Sequence, residues 1–82
     1  MINKDKILLI EWVDSYKVND WQAEDDCKVC VALIRSVGFF VDEDKDGICL
    51  ALSKSIKKGY CPYGDLISIP KVAIKKIKRI NL

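Results

Sequence analysis

Four cysteines are the most reactive side chains in this sequence, and two of them, Cys27 and Cys30, have the C-x-x-C spacing of half a zinc site or a redox pair. Cys49 and Cys61 would have to complete a tetrahedral thiolate set. The geometry opposes it: in an extended chain, residues three apart point to opposite faces, and no glycine-bearing knuckle turns both sulfurs toward one ion. A thioredoxin-like role needs a following helix, whereas residues 29–41 are rich in β-branched and aromatic side chains. The cysteines therefore read as reduced thiols that pack as small hydrophobes.

Asp42, Asp44, Asp46 and Gly47 match the opening of a calcium loop, D-x-D-x-D-G. The twelfth position, which should be a bidentate glutamate, is Ser53, and strands rather than helices flank the segment. A solvated turn is the better reading. Asp14 and Ser15 suggest an acid beside a nucleophile, but the chain has no histidine to act as a base, and local turn bonding accounts for both residues. With no acid–base pair, phosphate loop or complete metal set, the sequence predicts neither an enzyme nor a cofactor or metal.

Two surface features carry binding chemistry. Lys71, Lys75, Lys76, Lys78 and Arg79 fall within nine residues, and no acidic residue follows Asp65. Residues 1–41 hold five basic and seven acidic side chains, net −2, while residues 42–82 hold nine and five, net +4. Such a basic edge suits phosphates, although lysines also guard an edge strand against pairing with other chains. The overall charge of +2 is far from that of a dedicated nucleic-acid domain. The second feature is the loop Tyr60, Cys61, Pro62 and Tyr63, in which two tyrosines offer rigid contact area with polar tips.

These residues are positioned by short strands. Residues 7–15 alternate as a strand with one partly wet face. Residues 16–26 read as a long loop, with one helical turn capped by Asn19 or Asp20 and with Trp21 folding back over the core; Trp12 reads as core filler. Residues 27–41 form one long strand, with Val29, Val31, Leu33, Val37, Phe39 and Val41 on one parity and a bend at Gly38. Asp46-Gly47 then signals a hairpin through its preference for positive φ. A third strand runs to about residue 56, a fourth over residues 65–69 ends at Pro70, and a 3₁₀ turn at residues 71–73 precedes a bulged fifth strand. The three-residue spacing of Ile74, Ile77 and Ile80 also leaves a short C-terminal helix open.

The expected fold is thus mostly β: a single domain over residues 1–82, a partly open five-stranded small barrel of the SH3-like or Sm-like kind with one short 3₁₀ or helical turn. The strings Trp12-Val13-Asp14-Ser15, Ser36-Val37-Gly38-Phe39-Phe40-Val41, Leu50-Ala51-Leu52-Ser53 and Ile69-Pro70-Lys71 with Ile74 resemble a group of small uncharacterised phage and prophage proteins. The resemblance implies this fold and a phage setting. It implies no chemistry, and the Tyr60–Tyr63 loop lies outside it.

No apolar run approaches the roughly 18 residues of a membrane span, and residues 7–10 are too short for a signal-peptide core, so the expected location is the cytoplasm, the host's if phage-encoded. The function expected is a non-enzymatic binding module that docks on a protein partner or on its own copies, without a membrane partner. The alternatives are nucleic-acid binding through the basic C-terminal edge and capture of a small anionic, nucleotide-like ligand by Lys71, Lys75 or Lys76.

Overall fold

The structure, a computed structural model, describes residues 6–15, 21–57 and 62–81. Its strands are β1 (Ile7–Ser15), β2 (Val31–Glu43), β3 (Gly47–Lys54), β4 (Tyr63–Pro70) and β5 (Ile74–Ile80), and two 3₁₀ turns span Glu24–Asp26 and Lys71–Ala73. The strands form one open antiparallel sheet in the order β4-β3-β2-β1-β5. A mostly β chain with the 3₁₀ turn at residues 71–73 is what the residue pattern predicts.

Long β2 holds the sheet together because it serves two neighbours in succession. Residues 31–39 pair with β1, and residues 39–43 pair with β3. At the handover, a Cβ on Gly38 would lie 2.7 Å from the Ala51 carbonyl oxygen and 3.1 Å from the Leu50 Cβ, so only glycine lets β3 approach this closely. The sheet curls at this point. Leu8 and Ile10 of β1 pack in one cluster with Phe40, Ile48, Leu50 and Ile69, and Trp12 and Ile74 close its side. β1 thereby touches the inner side chains of β3 and β4, with which it forms no ladder. Among the described residues no ladder joins β4 to β5 either, and the sheet stays open.

Two bulges tune the register. One lies between Phe40 and Asp42 and leaves Val41 as the extra residue of β2. The other lies opposite Glu11 and Trp12, where β5 passes from Lys76 to Ile74 and leaves Lys75 unpaired in register. Ile74 opposite Trp12 and Ile77 opposite Ile10 therefore share the inner face although they are three apart, while Ile80 opposite Ile7 lies on the outer face. This resolves the odd spacing in favour of a bulged strand over a helix.

On β2, whose facing the residue pattern does not decide, the inward parity is Ala32, Ile34, Ser36, Gly38 and Phe40; Val31, Leu33 and Val37 are exposed. The Trp12 indole N–H donates to the Ser36 hydroxyl at 3.0 Å on that inner side, which selects the parity that hydrophobicity alone left undecided. Trp21 does not cover the core and is 100% exposed. The turn at Glu24–Asp26 follows Ala23, which makes no side-chain cap, while Asn19 and Asp20 lie outside the described residues. Cys27 and Cys30 are exposed free thiols rather than buried packing residues, Cys49 is half-buried, and Cys61 lies outside the described residues.

The β2–β3 hairpin forms where predicted but by another device. Among the described residues only Asp65 has a positive φ, 55°, so neither Asp46 nor Gly47 uses that region. Instead the Asp44 carboxylate accepts the backbone N–H groups of Asp46 and Gly47 at 2.8 and 2.9 Å, and the Asp44 N–H donates to the Gly47 carbonyl at 3.1 Å. A Cβ at position 47 would sit 3.1 Å from the Ile69 carbonyl oxygen, a tight contact that a larger residue could keep only if β4 gave way by a few tenths of an ångström.

Candidate functional site

Cross-strand register places a distinct set of side chains on the outer face of β5, β1 and β2. Its rows pair Ile7 with Phe39, Leu9 with Val37, Glu11 with Arg35, and Val13 with Leu33, and β5 adds Lys78 beside Leu9 and Lys76 beside Glu11. Leu9 and Val13 are half-buried by their neighbours, whereas Leu33 is 77% exposed and Val37 is also open to solvent. In the middle, the Arg35 Nε donates to the Glu11 Oε1 at 2.8 Å. The result is an aliphatic strip divided by one ion pair and bordered by lysines.

The basic residues singled out in the sequence are only partly gathered. Lys76 and Lys78 share the outer face, Arg79 falls on the opposite parity against Leu8, and Lys75 sits on the bulge. All four are exposed along β5, which has no further strand beside it among the described residues, so they blunt that edge against strand addition. Lys71 is separated from them. Its ammonium lies 3.1 Å from the Glu43 carboxylate, and its backbone N–H donates to the Asp46 carbonyl at 2.8 Å.

Of the tyrosine loop, Tyr60 and Cys61 lie outside the described residues, and Pro62 is exposed. Tyr63 opens β4 opposite Lys54, whose ammonium stands 5.8 Å from the ring centroid, within cation–π range. Asp14 accepts the backbone N–H of Ser15 at 2.8 Å, as turn chemistry predicts. A groove of about 410 Å³ runs between the β2–β3 turn and the end of β4, with Asp42, Asp44, Asp46, Cys49 and Ser68 in its wall. Among the described residues no three His, Cys, Asp or Glu side chains converge as metal ligands.

Within that groove, the N–H groups of Asp46 and then Gly47 hold the Asp44 carboxyl below its usual 3.8, with Lys71 adding a smaller favourable charge. A carboxyl depressed by folding contributes stability that is present above its ordinary pKa and is lost as pH falls through the lower, folded value. Acidification from about pH 5 toward pH 2 should therefore lower the urea midpoint, and part of that decline should vanish in Asp44→Asn, which keeps an acceptor for the turn. Equal acid sensitivity of the two proteins would show that the turn carboxylate plays no part.

Several large apolar side chains among the described residues lie open to solvent. Besides Leu33 and Val37, the exposed apolar side chains include Leu52 and Leu66 on the β3–β4 hairpin, Ile56 and Val72. No described helix is long and apolar enough to cross a membrane.

Comparison with known proteins finds no match: no family model fits the sequence, and no curated protein or solved structure resembles the chain.

Proposed function

We propose that this chain is a non-enzymatic binding module, an accessory protein of phage or prophage type, that acts through contact with other protein molecules, its own copies included. The observation that carries this reading is the set of aliphatic side chains left outside on the sheet, Leu33 and Val37 on β2 and Leu66 on β4. Contiguous exposed aliphatic surface in a folded protein marks a contact site more often than a solvated face. The SH3-like small-barrel identity belongs to the same reading: strand order, the long bent β2 and the 3₁₀ turn before β5 support it.

Sedimentation velocity over a wide range of concentration tests the reading, combined with a pull-down from host lysate treated with nuclease. The expected result is either a sedimentation coefficient that rises with concentration or a protein partner that survives nuclease treatment. A strictly monomeric species that retains no protein would overturn it.

A second reading is binding of single-stranded nucleic acid, favoured by the exposure of Lys75, Lys76, Lys78 and Arg79 along the edge strand β5. If these four cations track phosphates, the logarithm of affinity should fall against the logarithm of salt with a slope of about −3. Retention that is absent at low salt, or insensitive to salt, would remove this reading.

A further inference from the structure

We infer that the outer face of β1 and β2 is an isologous interface, on which two copies of this chain pack about a two-fold axis running along the strands between β1 and β2. The inference rests on the contact-module reading above and deepens it by naming the surface and its occupant.

The argument lies in the symmetry of the rows. A rotation about that axis sets the β1 of one copy over the β2 of the other, so each outer residue of β1 meets the type of residue that already neighbours it in its own sheet. Leu9 then faces the second copy's Val37, Val13 faces its Leu33, and Ile7 faces its Phe39, with each relation repeated by symmetry. Apolar meets apolar in all three rows. In the fourth, Glu11 faces the second copy's Arg35, and Arg35 faces its Glu11, so the 2.8 Å pair within each chain becomes part of a four-charge cluster at the interface centre.

A two-fold axis running across the strands fails this test, because it would set Glu11 on Glu11 and Arg35 on Arg35. The lysines agree with the first axis as well. β5 lies on the far side of β1 from β2, so the rotation carries the Lys76 and Lys78 of the two copies to opposite flanks of the interface, where they stay solvated and apart. Aligned sheets pack face to face about 10 Å apart, and β1 and β2 each present apolar residues on both faces.

Among the described residues the cluster within the chain buries six hydrophobic side chains, Leu8, Ile10, Phe40, Ile48, Leu50 and Ile69. Covering Leu33, Val37, Leu9 and Val13 would give the chain a second apolar layer on the other side of β1 and β2.

The test is sedimentation of the intact chain and four variants, each checked for an unchanged β spectrum by circular dichroism. Leu33→Lys should weaken association roughly tenfold or more, and Leu66→Lys, on the β3–β4 hairpin, should leave it unchanged. Arg35→Glu alters only an exposed charge and should dissociate the dimer by setting like charges against each other within and between copies. Combining it with Glu11→Arg should restore the wild-type association state. If the wild type associates but Leu33→Lys and Arg35→Glu associate equally well, or if Leu66→Lys is the variant that dissociates, the assignment of this face is overturned while the contact-module reading stands. A wild type that is monomeric at every concentration overturns the interface and removes self-association from the proposed function.

Discussion

Leu50→Ala is expected to cost about 3–4 kcal/mol and to leave little of the folded state. Leu50 is 1% exposed and packs among Leu8, Ile10, Phe40, Ile48 and Ile69, the residues that join β1 to β3 and β4. Removing its branched end leaves a cavity whose walls come from four strands, and β1 pairs with neither β3 nor β4, so the ladders cannot slide to fill it. A small domain of this size seldom has more than about 3–5 kcal/mol in reserve. Urea unfolding followed by circular dichroism measures the loss, with Ile56→Ala as the control. Ile56 is fully exposed and should change stability by no more than about 0.5 kcal/mol. Equal effects at the two positions would mean that the cluster is not where the stability resides.

Gly38→Ala should destabilise the protein by about 2 kcal/mol or more, in the opposite direction to the usual effect of replacing glycine in a strand. Alanine restricts the unfolded chain and would by that route add about 0.4–1 kcal/mol of stability. Its Cβ would meet the Ala51 carbonyl oxygen at 2.7 Å, however, and that atom belongs to backbone held in the β3 ladder. Gly38 does not have a positive φ, so the cost is the contact and not the backbone conformation. Relief requires β2 and β3 to move apart where β2 passes from one neighbour to the other. A Gly38→Ala variant as stable as the wild type would show that the strands do not approach so closely and that the bend has another cause.

Most of the strand framework is legible in the residues. β1 emerges from alternation alone, the turn at residues 71–73 from Pro70 and the broken period after it, and the bulged β5 from isoleucines spaced by three. What misleads is β2. Val31, Leu33 and Val37 on one parity are as apolar as Ala32, Ile34 and Phe40 on the other, and periodicity cannot choose a face when both are apolar. The deciding groups are small or polar: Ser36, which accepts the Trp12 indole N–H, and Gly38, which admits β3. Trp21 misleads in the same way, because its size suggests a lid and nothing local in the sequence records that its side chain stays outside.

The contact surface was harder to see than the fold, for a related reason. Charge and aromatic content point to Lys71, Lys75, Lys76, Lys78, Arg79 and the tyrosine loop, whereas the outer strip is built from Leu9, Val13, Leu33 and Val37, which alternation alone does not mark as surface. Only the register, which sets Glu11 beside Arg35 and makes the rows self-complementary, identifies them as a surface. On the proposed interface the doubly apolar β2 has one explanation: a core formed within the chain on one face and, on the other, one formed with a second molecule.

Thermal unfolding as a function of protein concentration tests that explanation most directly, since association with other copies stabilises the folded chain by mass action. Covering the outer strip by self-association predicts that Tm climbs by roughly 3–5 °C for each tenfold rise in concentration. A Tm that stays constant from the lowest to the highest concentration would contradict it, because the folded state would then owe nothing to a second copy.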